Sequence, residues 1–176
     1  MRVLVSSHAS LFPSEHGGAK NIQHLMESLA AEGVECRVLV KMHPPVPERI
    51  RFAGQHLNGL ENFKSSFQKY DFNKGAPIWS YKNILYKGVL GESKDLALAS
   101  KKEVADFKPD AFILCDDSLD EGKDLFEVAA ETKNLVFFAQ TIHSLPFGPY
   151  SMKPSSAVTD AIKKAKKIIA PSNHVK

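Results

Sequence analysis

A glycine pair near the start of the chain has the chemistry of an anion site. Gly17-Gly18 follows the apolar run 3–5 across a polar loop and stands immediately before an amphipathic stretch. Adjacent glycines at a helix start leave backbone N–H groups unpaired and unshielded, which suits a phosphate or another anionic group. The same pair can equally be only a tight turn. Asn21 lies just beyond the pair, and we count it with the binding candidates.

Three further polar candidates follow later apolar runs. Asp117 comes after the run 111–115, and Gln140 and His143 come after 135–139. Carboxylate and amide groups can bind a polar ligand, and an imidazole can also take part in proton transfer. Each has a structural alternative: Asp117 can cap the helix that follows it, and His143 can be a packed or solvent-facing loop residue. The residues alone leave both interpretations open.

An alternation of strands and helices must position these candidates. Continuous apolar runs predict strands at 2–5, 34–40, 111–115, 135–139 and 167–170. Helical periodicity predicts helices from Gly18 to Gly33, 93–107, 120–133 and 155–167, with Ser93 as a candidate cap. This order predicts an α/β sandwich with a mainly parallel sheet.

The predicted sheet brings the polar candidates to one rim. Ligands of open parallel sheets bind beyond the carboxyl ends of the strands. The predicted rim holds the residues that follow the strands: Ser6, Ser7, His8, Gly17, Gly18, Asp116, Asp117, Gln140, His143 and Ser172. We therefore expect a cleft there.

Residues from about 42 to 90 follow this pattern less clearly. The proline-rich segment 43–47 cannot continue a helix or a central strand. The β-like run 78–89 and the turn signal Asn58-Gly59 predict short strands or a hairpin inserted over the sheet. Irregular segments over a rigid sheet often carry binding specificity.

Length, charge and cysteine content restrict the class of protein. The chain has 176 residues, enough for a single domain, with 43% hydrophobic and 24% charged residues, as in ordinary globular proteins. No apolar run spans a bilayer and no secretory signal opens the chain. A net charge of +3 makes no case for nucleic acid. Cys36 and Cys115 fall in predicted strands and are expected to be reduced core residues, which fits a cytoplasmic protein.

A lysine cluster near the end of the chain, Lys163, Lys164, Lys166 and Lys167, has two interpretations. It can be a solvated helix face, or it can bind the protein to an anionic membrane surface, as in peripheral enzymes.

Several site classes are excluded by missing patterns. The chain has no G-x-G-x-x-G fingerprint after its first strand, no phosphate-binding P-loop and no G-x-S-x-G nucleophile elbow. His8, His16 and His24 lack the spacing and the companions of a zinc site, so no metal is expected. Ser6-Ser7-His8 also lacks the acidic residues of a phospho-receiver domain.

The order of several motifs resembles a known family. Gly17-Gly18-x-x-Asn21 leads through Leu29-Ala30-x-x-Gly33 to Cys36-x-Val38. Lys108-Pro109-Asp110, then 138–143, then Lys167 to Ser172 follow in the same order. This arrangement resembles the N-terminal domain of GT-B glycosyltransferases, in particular the large retaining family of sucrose, phosphatidylinositol mannoside and polysaccharide enzymes. Val34 departs from the family, which often has histidine there.

The resemblance implies a Rossmann-like half of a two-domain hexosyltransferase of carbohydrate biosynthesis. Such an enzyme moves a sugar from a nucleotide diphosphate sugar to a sugar or lipid-linked acceptor, without a metal or other cofactor. His143 would match the family histidine near the donor sugar, where it stabilises charge in the transition state. Gly17 and Gly18 would face the donor phosphates or the acceptor.

The family's paired glutamates belong to a C-terminal domain that has no counterpart in this sequence. Ser172 would open a further helix that stops after one turn, so we expect a partner domain or subunit and no turnover by this chain alone. A different class of answer is a stand-alone α/β module that binds a small anion or a partner protein.

Overall fold

The computed structural model describes residues 1–8, 17–42, 78–115, 123–139 and 156–169. Seven strands and four helices occupy these ranges. In chain order they are β1 (Arg2–Ser7), α1 (Gly17–Ala31), β2 (Glu35–Met42), β3 (Ile78–Tyr81), β4 (Ile84–Leu90), α2 (Ser93–Phe107), β5 (Ala111–Cys115), α3 (Lys123–Glu131), β6 (Leu135–Phe138), α4 (Ser156–Lys164) and β7 (Lys167–Ile169).

The strands form one sheet in the order β3-β4-β2-β1-β5-β6-β7. Every neighbouring pair is parallel except β3 and β4, which are antiparallel. The six parallel strands follow the third-second-first-fourth-fifth-sixth order of doubly wound α/β folds. The predicted α/β class with a mainly parallel sheet is confirmed, and the topology is compatible with a Rossmann-like fold.

Alternation along the strands divides the core between the two faces of the sheet. In β1, Val3 and Val5 pack on the face covered by α1, where Ile22 and Met26 are fully buried. Leu4 points to the opposite face, with residues of α2, α3 and α4. Each fully buried large apolar side chain contributes about 1.5–3 kcal/mol of transfer free energy, so both layers fix the sheet firmly.

The hairpin predicted within 78–89 exists, but it lies in the sheet rather than over it. β4 pairs in parallel with β2 from Cys36↔Ile84 to Met42↔Leu90, and β3 forms the antiparallel edge. The two-residue turn Lys82-Asn83 has φ of 48° and 62°, a left-handed pair that matches the twist of a hairpin. Residues 43–77 of the predicted insertion are outside the described ranges.

Glu92, not Ser93, caps α2. The Glu92 side chain accepts the backbone N–H of Asp95, and the Asp95 carboxylate accepts the Glu92 N–H at 2.7 Å. Two unpaired N–H groups are thereby satisfied by a reciprocal pair of carboxylates. At the other end Lys108 adopts a left-handed conformation, with φ 50°, and Pro109 follows. In the described ranges no helix has the length and apolarity needed to cross a membrane.

Candidate functional site

The chain leaves β1 and β5 towards opposite faces of the sheet, and in open α/β sheets a crevice forms at the carboxyl edge of such a pair of strands. β1 leads to α1, which packs on β2 and β4, whereas β5 leads to α3 on the opposite face. β1 and β5 are direct neighbours in the sheet. Open α/β sheets bind ligands at such a reversal, so the ends of these two strands define the candidate site.

The end of β1 differs from the prediction. Ser6 and Ser7, expected after the strand, are its last two residues and are fully buried. The Ser6 hydroxyl lies 2.8 Å from the hydroxyl of Ser100 in α2, and Ser100 donates to the Leu96 carbonyl at 2.7 Å. Ser6 therefore ties α2 to the central strand and is not a ligand-facing group. The reason is that the β1 ladder with β2 continues as far as Ser7↔Val40.

His8 follows β1 directly and is 6% exposed. His8 therefore lies at the reversal between β1 and β5, and its imidazole is a titratable group at the candidate site. The sequence predicts Ser6, Ser7 and His8 on this rim. In the structure His8 lies there, whereas Ser6 and Ser7 are buried within β1.

The N-terminus of α1 supplies the candidate anion-binding element. The helix begins at Gly17, and its first turn contains no acidic residue. Lys20 and Asn21 are exposed, whereas Ala19 is fully buried. The first N–H groups of a helix lack intrahelical partners, and the helix dipole adds about half a positive charge there. This end of α1 can therefore accept an anion without competition from a carboxylate of its own first turn.

Three predicted site residues lie outside the described ranges. They are Asp117, Gln140 and His143, and the same holds for Asp116 and Ser172. The structure does place the ends of the two preceding strands: β5 ends at Cys115 and β6 ends at Phe138. Their roles in binding and catalysis remain predictions.

The strand order alone does not make this a dinucleotide site. Dinucleotide-binding folds of this order carry an acidic residue about 20 residues after the glycine turn, where it binds the ribose. Here β2 ends with Lys41-Met42, so a cation stands near that position. This agrees with the missing G-x-G-x-x-G pattern and argues against an NAD-type ligand.

Sequence reasoning missed a buried ion cluster beneath α2. The Glu103 carboxylate accepts Arg37 Nη1 at 2.7 Å and Lys87 Nζ at 2.6 Å, from β2 and β4. Burial raises the pKa of this carboxyl, but the hydrogen bonds and charges of Lys87 and Arg37 outweigh burial and leave the pKa below its usual value. The Arg37 guanidinium also stacks on the Phe107 ring, 4.0 Å from its centroid.

A sequence signal for this cluster did exist. Leu96, Ser100, Glu103 and Phe107 recur at helical spacing, which places the glutamate on the inward stripe of α2. Arg37 and Lys87 occupy the strand positions that face the same side. Two inward cations opposite one inward carboxylate predict a buried ion pair, and here they join α2 to the sheet rather than form a ligand site.

Cys36 and Cys115 form no disulfide and both are buried, as predicted. Burial, with a smaller contribution from the Glu35 charge, raises the pKa of the Cys36 thiol to about 11. A thiol of this kind is unreactive, so Cys36 is a core residue. Within the described ranges no group of three His, Cys, Asp or Glu side chains is arranged to hold a metal ion.

No protein-family model matches the chain, and no curated protein matches it.

Proposed function

We propose that this chain is the N-terminal, acceptor-side half of a GT-B glycosyltransferase. The complete enzyme moves a sugar from a nucleotide diphosphate sugar to a sugar or lipid-linked acceptor with retention of configuration. The donor nucleotide binds mainly to a second α/β domain or subunit, which closes the other wall of the crevice. Turnover requires both walls of the crevice, because the reacting groups of donor and acceptor must be held together.

One observation carries the proposal: α1 begins at Gly17-Gly18 beside the reversal between β1 and β5. A diphosphate leaving group develops negative charge, and a helix N-terminus without acidic residues is suited to receive it. The same order of motifs along the chain supports the family assignment. The ordered strand topology is shared by many unrelated functions, so it supports the fold and not the chemistry.

The proposed roles follow from the resemblance and from the position of each residue along the chain. Gly17 and Gly18 let the backbone approach the donor phosphates or the acceptor, with Asn21 one turn further along α1. Asp117 and Gln140, which follow β5 and β6 in the sequence, bind hydroxyl groups of the substrates. His143 hydrogen-bonds the donor sugar and stabilises charge in the transition state.

The test is an amide NMR titration of the isotope-labelled chain with UDP-, GDP- and ADP-sugars at millimolar concentration. We expect shifts at the amides of Gly17, Gly18 and Asn21. Gly18→Ala adds a methyl group that blocks close backbone approach, and it should weaken the response about tenfold. A parent nucleoside without phosphates should leave these amides unchanged.

Two outcomes would count against the transferase. Chemical shift changes confined to the opposite edge of the sheet would contradict a binding site at the carboxyl edge. Equal shifts with inorganic pyrophosphate alone, and no preference for any nucleotide sugar, would favour the alternative of a small-anion-binding module.

His143→Ala tests the catalytic role in the two-domain enzyme that the proposal requires. Loss of a group that stabilises transition-state charge costs about 10²- to 10³-fold in kcat. Glycosyl transfer is measured by product formation, with donor binding as the control that the fold and the crevice persist. Near-normal transfer by this variant would remove His143 from the chemistry.

A further inference from the structure

Five lysines share one corner of the fold, at the amino edge of β6 and β7. Lys133 lies in the turn before β6, Lys163 and Lys164 form the last turn of α4, and Lys166 and Lys167 lead into β7. All five side chains are exposed. We call this surface the basic corner.

Hydrogen bonds hold the basic corner together. Lys166 Nζ donates to Asn134 Oδ1 at 2.7 Å, which joins the turn before β7 to the turn before β6. The Lys166 backbone N–H donates to the Leu135 carbonyl at 2.9 Å. The lysines therefore project from two turns of fixed relative position rather than from independent loops.

Helix-end stabilisation accounts for only part of this charge. The C-termini of α3 and α4 each carry about half a negative charge, which together offset about one lysine. Asp160, one turn before Lys164, offsets a second. The Glu131 carboxylate is 3.5 Å from Lys101 Nζ of α2, so its negative charge is already balanced by a lysine outside the corner. Among the residues that the structure describes, about three of the five positive charges therefore have no counterpart within the corner.

An exposed apolar residue lies in the same edge strand as Lys167. Ile168 follows Lys167 in β7 and is 53% exposed. Successive side chains of a strand point to opposite faces of the sheet, so Lys167 and Ile168 lie on the two sides of this edge. Cations together with an exposed aliphatic residue suit the boundary between lipid headgroups and acyl chains. Among the described residues of the corner, 132–134 and 162–169, none is aromatic, so the stacking platform of single-strand nucleic acid binding is missing there.

We propose that the basic corner docks the protein on a bilayer that contains anionic lipid. Lysine side chains near such a surface each contribute an attraction equivalent to about fivefold in affinity. The candidate crevice lies at the carboxyl edge, at the other end of the strands, so the docked protein keeps the crevice open to solution. This inference does not depend on glycosyl transfer.

The test is co-sedimentation of the full chain with vesicles of phosphatidylcholine, with and without roughly one third phosphatidylserine. We expect binding only to the anionic vesicles. Lys133→Gln, Lys163→Gln and Lys167→Gln combined should lower the partition coefficient about a hundredfold. Lys166 is left in place because it holds Asn134. Raising salt from about 0.1 to about 1 M shortens the screening length from roughly 10 to 3 Å and should release the protein.

The matched control removes three exposed lysines elsewhere: Lys82→Gln, Lys94→Gln and Lys102→Gln. It has the same net charge as the test variant, so retained binding by the control assigns the effect to the corner. Equal loss in both variants, equal binding to neutral vesicles, or displacement of the protein from vesicles by double-stranded DNA would each overturn the proposal. Circular dichroism of both variants checks that the fold persists.

Discussion

The buried carboxylate of Glu103 is held by two cations from neighbouring strands, and it has no role at the crevice. Its side chain is 7% exposed, whereas those of Arg37 and Lys87 are 25% and 28% exposed. A buried charge is costly to leave unpaired, because water no longer solvates it. The cluster therefore stabilises the fold only while the Glu103 carboxylate keeps its hydrogen bonds to both Arg37 and Lys87.

Glu103→Gln should lower the free energy of unfolding by about 2–3 kcal/mol. Loss of the carboxylate leaves two cations with one neutral amide, and the partial exposure of Arg37 and Lys87 puts the cost below that of a fully buried pair. Urea denaturation measures the change. Glu131→Gln is the control, because its pair with Lys101 is 67% exposed on both sides and should cost less than about 1 kcal/mol. Equal effects of the two changes would contradict the burial argument.

The same cluster predicts how stability depends on pH. The pKa of Glu103 is lower in the folded protein than its usual value of 4.5. The unfolded chain therefore binds a proton first, so the stabilisation is present above about pH 4.5 and is lost as pH falls through the folded pKa. The difference in unfolding free energy between the native chain and Glu103→Gln should shrink from about pH 5 downwards. A difference independent of pH in that window would show that the carboxylate charge is not the cause.

At the scale of elements, the junction between β4 and α2 depends on a glycine that no other residue can replace cheaply. Gly91 has φ of 115°, and a Cβ added there would overlap the Asp95 carboxylate. That carboxylate is half of the capping pair of α2. The backbone conformation and the cap therefore both require glycine at this position.

Gly91→Ala should cost about 2–4 kcal/mol, since backbone strain adds to loss of the cap. Gly33→Ala is the matched comparison. Gly33 also has a positive φ, 79°, but an added Cβ meets nothing within 4 Å, so only the strain of about 1–2 kcal/mol applies. Chemical denaturation of both variants separates the two terms. If Gly33→Ala proves as costly as Gly91→Ala, the overlap with Asp95 contributes nothing.

Elements with a clear period could be predicted from the sequence, and those fixed by tertiary pairing could not. β5 was predicted with its observed limits, because five consecutive apolar residues between turn signals have one simple interpretation. The hairpin of β3 and β4 was placed over the sheet, since its mixed pattern does not say which strand it will join. Its partner β2 supplies that information only in the folded chain.

Of the candidate site, too, only the features set by local sequence patterns could be predicted. The glycine start of α1 could be predicted, because helix periodicity begins there. The burial of Ser6 and Ser7 could not, because it depends on how far the ladder between β1 and β2 extends. The pair of Ser6 with Ser100 joins residues 94 positions apart, a separation at which local patterns carry no signal.

At the scale of the whole molecule, the central strands should open only together. Cys36 in β2 and Cys115 in β5 lie on either side of β1, and both side chains belong to the apolar layer shared with α1. β1 bonds to both strands, and the ladder is continuous from β2 to β5. Exposure of either thiol therefore requires disruption of the same central pairings.

Thiol labelling tests this cooperativity. Both cysteines should resist iodoacetamide in the native protein and react at one common rate, measured by mass spectrometry of each cysteine-containing peptide. At pH 8, a pKa of about 11 leaves roughly a thousandth of the Cys36 thiol as the reactive thiolate even before burial hinders access. In concentrated urea both should label at once. If one cysteine reacts in the native protein while the other stays protected, that side of the sheet opens alone, and the seven strands are not a single cooperative unit.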